Sequence, residues 1–98
     1  MYVVVQHRFK DPETAWVRGE KLIKNEGAPP GARGLEFYPS RDGSMATCLW
    51  EADSVDDTQG YVDSTLGDSS ENFCYEVDAE QSFAERPSEI QEPGAIRA

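Results

Sequence analysis

Three residues of this 98-residue chain carry side chains suited to soft-metal ligation or nucleophilic chemistry: His7, its single histidine, and the cysteines Cys48 and Cys74. An imidazole with thiolates suits nickel, zinc or copper, and a carboxylate such as Glu76 or Glu36 would complete the ligand set. Their spacing matches no standard zinc motif, so only a fold that brings distant segments together makes them a site. One histidine also suffices as a general base, oriented by Glu36 or Glu76. No G-x-S-x-G elbow, phosphate loop or H-E-x-x-H pair is present. A secretory leader is not expected, so the two thiols read as reduced core residues or ligands before a disulfide.

The elements that must position these residues are legible from pattern. His7 lies near the end of a strand from about Tyr2 to Phe9. Asp11-Pro12 then starts a helix, since Asp caps free N–H groups and Pro at the first helical position gives up no needed donor. Ala15, Trp16, Gly19, Leu22 and Ile23 form one helical face, with Trp16 read as a core residue. The helix should end by Asn25, before the Gly- and Pro-rich "EGAPPGARG". "GLEFYP" and "SMATCLWEA" flank "SRDG" as a hairpin, placing Cys48 on the third segment. Ser54 opens a second helix, Gly67 follows its end, and "NFCYEVDAEQSF" alternates as a last strand carrying Cys74.

The order β-α-β-β-α-β predicts an α+β, ferredoxin-like domain over residues 1–83, its antiparallel sheet in the order 4-1-3-2 with two helices on one face. Residues 84–98 are expected to form an extended or disordered tail, because they hold only scattered apolar residues. In the first strand both faces are apolar: Val3 and Val5 on one, Tyr2 and Val4 on the other. Two helices cover one side of the sheet, so something else must cover the second, and another copy of the chain is the simplest cover.

That architecture resembles the dimeric α+β barrel superfamily, in which two ferredoxin-like subunits pack sheet to sheet. More narrowly, "YVVVQHRF" and "TCLWEADS" resemble a small family of nickel-binding, ferredoxin-like proteins with a first-strand histidine and a "CLYEAP"-like third strand. The resemblance carries over to His7 and Cys48 as metal ligands; the proline expected after "EA" is Asp53 here. It implies a homodimer and a divalent transition metal, nickel or zinc.

In the 4-1-3-2 order His7, Cys48 and Cys74 fall on three adjacent strands, but their faces must agree. Cys74 opposes the Phe73-Tyr75-Val77 stripe and points away from the helices if that stripe is core. The face of Cys48 depends on the hairpin. A two-residue Asp42-Gly43 loop pairs it with Phe37 and turns it toward the helices; a three-residue loop with a left-handed Gly43 pairs it with Glu36 and turns it away. His7 is equally open, and a histidine bonded to backbone near a strand end is the plainest reading of it.

Charge and composition exclude other classes. The net charge is −10, and twelve of the nineteen acidic residues fall between Arg41 and Arg86, where no lysine or arginine occurs. Nucleic-acid phosphate and anionic lipid would be repelled. With no apolar run of membrane-spanning length, a cytoplasmic protein is expected. Three functions remain: a metal-binding protein using His7, Cys48, Cys74 and Glu76; a barrel holding a small organic ligand, as monooxygenase-like relatives of the superfamily do, with Tyr2, Gln6, Glu36, Tyr38 and Trp50 around it; or a dimer without a ligand.

Overall fold

The structure, a computed structural model, describes residues 1–97; Ala98, the last residue of the expected tail, lies outside the described residues. Strand β1 (Tyr2–Phe9) leads to helix α1 (Pro12–Ile23), then β2 (Arg33–Pro39), β3 (Met45–Glu51), α2 (Val55–Leu66), β4 (Ser70–Glu76) and a one-turn helix α3 (Pro93–Arg97). The strands form one sheet in the order β2-β3-β1-β4, with all pairings antiparallel. This is the 4-1-3-2 order that the element sequence predicts.

Local chemistry explains the boundaries. Asp11 accepts from the Thr14 N–H at 3.2 Å and the Thr14 hydroxyl at 2.7 Å, capping α1 behind Pro12. Ser54 accepts from the Asp57 N–H at 2.9 Å and caps α2 in the same way. At the other end of α2 the chain needs a positive φ of 57° at Gly67, and Arg18 reaches over from α1 to take the freed Leu66 carbonyl at 2.9 Å. That bond ties the side of α1 to the end of α2, where the Ser69 hydroxyl also donates to the same carbonyl at 2.6 Å.

The β2–β3 hairpin combines both turns considered from sequence. Phe37 pairs with Cys48, the register of the shorter loop, yet Gly43 is left-handed with φ 77°. The Asp42 carboxylate accepts from the Ser40 hydroxyl, the Ser44 N–H and the Ser44 hydroxyl, which hold its pKa down at about 2. Register is then shifted by a bulge at Leu35, between Gly34 and Glu36.

The inner face of the sheet, against the helices, carries Val3, Val5, His7, Cys48, Trp50 and Cys74. With Leu22, Tyr61, Val62 and Leu66 the apolar members make the core. Here one expectation is corrected. Cys74 points toward the helices, and Phe73 and Tyr75 lie on the outer face, 64% and 42% exposed. Alternation distinguishes two faces without saying which is core, and Ser70, Asn72 and Cys74 are the smaller set, which lets α2 approach β4 closely. Gln59 of α2 accepts from the Cys74 N–H at 3.1 Å and donates to the Asn72 carbonyl at 2.9 Å, engaging the free edge of β4.

Beyond Phe83 the chain runs back over the open side of α1 and β2. Arg97 donates to the Ile23 carbonyl at 2.7 Å and the Gly34 carbonyl at 2.9 Å, and the one-turn helix that carries it is seated on α1 and β2. The guanidinium fork, not apolar content, supplies that anchor.

Candidate functional site

The inner face of β1 and β3 forms one wall of a cavity of about 740 Å³ between the sheet, α1 and the tail. A volume of that size suits a small organic molecule. His7 and Cys48 line it, with Phe9, Trp16, Phe37 and Trp50 as its aromatic walls and Ile90 and Ile96 on the tail side. The aromatics form a continuous row: His7 stacks on Phe9 at 5.6 Å, Phe9 meets Trp16 at 6.4 Å, and Trp16 meets Phe37 edge-on at 5.8 Å. Trp16 is therefore a half-exposed cavity wall rather than a core residue, its indole N–H donating to the Gly43 carbonyl at 3.4 Å.

His7 is 3% exposed and bonded at both ring nitrogens. Its Nδ1 lies 2.7 Å from Asn72 Oδ1 and its Nε2 lies 3.2 Å from Cys48 Sγ. The surrounding bonds assign the tautomer. Asn72 Nδ2 donates to Asp63 at 3.0 Å and the Ser70 hydroxyl donates to Asn72 Oδ1 at 2.6 Å, so Oδ1 is an acceptor and the imidazole proton sits on Nδ1. Nε2 is left with its lone pair toward the Cys48 thiol. Burial holds the His7 pKa below its ordinary value, against the opposing pull of the Asn72 hydrogen bond and the Asp63 charge. Burial and the neighbouring Cys74 push the Cys48 thiol up to about 12, against a lowering contact with Trp50. Cys74 rises to about 11 through burial and the Asp63 charge. At neutral pH the pair is a thiol donating to a neutral imidazole.

The predicted site residues divide accordingly. His7, Cys48 and Trp50 come together at the cavity, and Glu36 and Tyr38 also line it, with the Tyr38 hydroxyl donating to Glu36. Tyr2 and Gln6 do not; strand parity puts them on the outer face, opposite Glu51 and Thr47. Cys74 flanks Val5 from β4 as Cys48 does from β3, and Glu76 is exposed near the far end of β1, opposite Val3. Among the described residues no three of His, Cys, Asp and Glu converge on a point where a metal ion would sit. His7 with Cys48 is a donor pair, and by themselves these residues do not fit a resident nickel or zinc centre. Asn72 and Asp63 went unforeseen. An asparagine at a strand start reads as a turn residue, and only the pairing of His7 with Asn72 brings the amide to the ring.

No family model matches the chain, and no curated protein matches it. Among solved structures, that of Rv0793 from Mycobacterium tuberculosis superposes with a TM-score of 0.52 over 83% of this chain and 98% of that one, at 14% identity. Likeness at that identity shows the fold alone, a ferredoxin-like subunit with the strand order described above. Among the described residues no helix is long and apolar enough to cross a membrane.

Proposed function

We propose that this protein binds a small, flat, largely apolar organic molecule between its sheet and its helices, with His7 as the polar contact. The carrying observation is the cavity of about 740 Å³, walled by Phe9, Trp16, Phe37 and Trp50, with a neutral imidazole at its sheet wall. Aromatic walls favour a planar ligand, and an acceptor nitrogen favours a ligand with a hydroxyl to donate. Titration with 2-naphthol, read by the fluorescence of Trp16 and Trp50, tests this. Saturable quenching with a dissociation constant of about a micromolar supports it, and Gly19→Leu, which projects into the cavity from α1, should weaken it about tenfold. Unchanged emission up to the solubility limit of the probe overturns it.

The protein is further proposed to act as a homodimer in the cytoplasm, its two free cysteines reduced. Tyr2, Met45, Phe73 and Tyr75 form an exposed apolar set on the outer face of the sheet, the side that β1 requires to be covered. Light scattering at micromolar concentration should return twice the chain mass; a monomer sinks this assembly. A second reading of the site rests on the 3.2 Å contact of His7 Nε2 with Cys48 Sγ, two soft donors side by side. Nickel or zinc would then need further ligands from a bound molecule or a second copy. Tight binding lost in both His7→Ala and Cys48→Ser would favour it, and isotherms unchanged by His7→Ala would end it.

A further inference from the structure

We infer that Cys48 is a nucleophile of this cavity, with His7 as its general base and Asn72 as a positioning residue, and that it adds to planar, apolar α,β-unsaturated carbonyl compounds. The inference rests on the cavity being a binding site. Three contacts carry it: Cys48 Sγ 3.2 Å from His7 Nε2, His7 Nδ1 2.7 Å from Asn72 Oδ1, and Asn72 Nδ2 3.0 Å from Asp63. Nucleophile, base and orienter stand in sequence, each within hydrogen-bond reach of the next. Both reacting residues line the cavity, so a carbon resting against the sulfur has the base already in place.

Burial selects the mode of attack. A thiol held up at about 12 does not rest as a thiolate beside imidazolium; its proton leaves to Nε2 as the sulfur–carbon bond forms. In the addition, sulfur bonds to the β-carbon and the carbon–carbon π pair moves toward the carbonyl as an enolate. The proton taken by His7 then passes to the α-carbon. Only the S–H bond and the π bond break, and no leaving group, water or redox partner is consumed. The aromatic row from Phe9 to Phe37 favours a conjugated, flat acceptor.

The ionisable groups that shift this pair are Asp63 from α2, which favours the charged ring, and Cys74 from β4, which disfavours the thiolate; around the same cavity α1 presents Ala15 and Trp16, β2 presents Glu36 and Tyr38, and the tail presents Glu85, Arg86 and Arg97. A pH profile therefore separates assisted from unassisted chemistry. The full chain is treated with N-phenylmaleimide, and adduct formation is followed by intact mass and peptide mapping. The expected result is one adduct, at Cys48, with a rate that is flat from about pH 7 to 9 and falls at lower pH as His7 takes a proton. His7→Gln should slow it about a hundredfold and restore a dependence on thiolate, while Asn72→Ala should move the acid limb to lower pH by removing a bond that favours imidazolium. A wild-type rate rising about tenfold per pH unit across that range, as for a free thiol of high pKa, overturns the proposal without any variant. So does an adduct at Cys74 alone, or a His7→Gln rate within about threefold of wild type. The saturated analogue N-phenylsuccinimide keeps the two readings apart. Quenching by it without reaction of the maleimide leaves the binding site and removes the nucleophile, whereas silence of both it and 2-naphthol removes both.

Discussion

The two halves of the helix-covered layer are built differently. Over β1 and β4, helix α2 lies close to the sheet: Val3, Val5, Thr58, Val62 and Leu66 are almost fully buried, and the strand beneath offers Ser70, Asn72 and Cys74. Over β2 and β3, helix α1 is held off by Trp16, Phe37 and Trp50, and a cavity remains between them, with the tail across it. Small side chains allow close approach and a dense layer, whereas large flat ones prop two elements apart and leave usable space. One sheet thus carries a packed half that supplies stability and an open half that supplies a site, with His7 on the seam between them.

The largest effect should come from the packed half. Leu66→Ala removes a side chain 1% exposed and should cost about 2–5 kcal/mol by urea denaturation, the range for a core leucine that cannot collapse. Phe37→Ala, on the half-buried cavity wall, should cost less than half of that despite the greater volume removed. An equal or greater cost would show that the open half is packed after all. At the seam, acid should destabilise. His7 is held neutral with a lowered pKa, so the unfolded chain binds a proton first; stability is full above about pH 6.5 and falls as pH drops toward the folded-state value. Melting curves of wild type and His7→Gln should therefore converge on acidification. At the alkaline end the sign reverses. Cys48 titrates at about 12 and Cys74 at about 11 when folded, so their share of stability is present below the ordinary thiol value of about 9 and is lost above it.

Smaller still is the effect of the tail. Deleting Pro87 to Ala98 should lower the melting temperature by only a degree or two, because Ile90 and Ile96 stay part-exposed, yet it should speed both entry and exit of 2-naphthol by opening one wall. A loss of about ten degrees would make the tail part of the packed layer. The smallest change is a gain. Gly19 sits inside α1, and a Cβ there meets Leu66 at an ordinary 3.7 Å, so Gly19→Ala should stabilise by about 0.5–1 kcal/mol.

Much of this contrast could be read in the residues, and the gaps have physical causes. Caps at Asp11 and Ser54, the hairpin about Asp42 and the double-sided character of β1 are local signals. They determine the element order and, through handedness, the strand order. Face assignment is not local. The Phe73-Tyr75 stripe and the Cys74 stripe alternate with equal regularity, and only the depth available beneath α2 decides between them. The hairpin register depends on how a four-residue turn resolves at Gly43, and the bulge at Leu35 has no residue signature. The cavity arises from what Trp16 and Phe37 prevent, and Arg97 seats the tail on two carbonyls distant in sequence. Asn72 becomes the partner of His7 through the β1–β4 register alone.

One bond pair reaches beyond the monomer. The Gln59 side-chain amide meets β4 as a neighbouring peptide group would, accepting from the Cys74 N–H and donating to the Asn72 carbonyl. An edge strand with free donors and acceptors is a template for lateral growth, and a chain rich in β-branched and aromatic residues is prone to it. Here the template is filled by a side chain that forms part of no strand and offers no further ladder. At these two groups of the β4 border another strand finds no free donor or acceptor to pair with, so lateral growth is obstructed there by a residue of the chain's own helix.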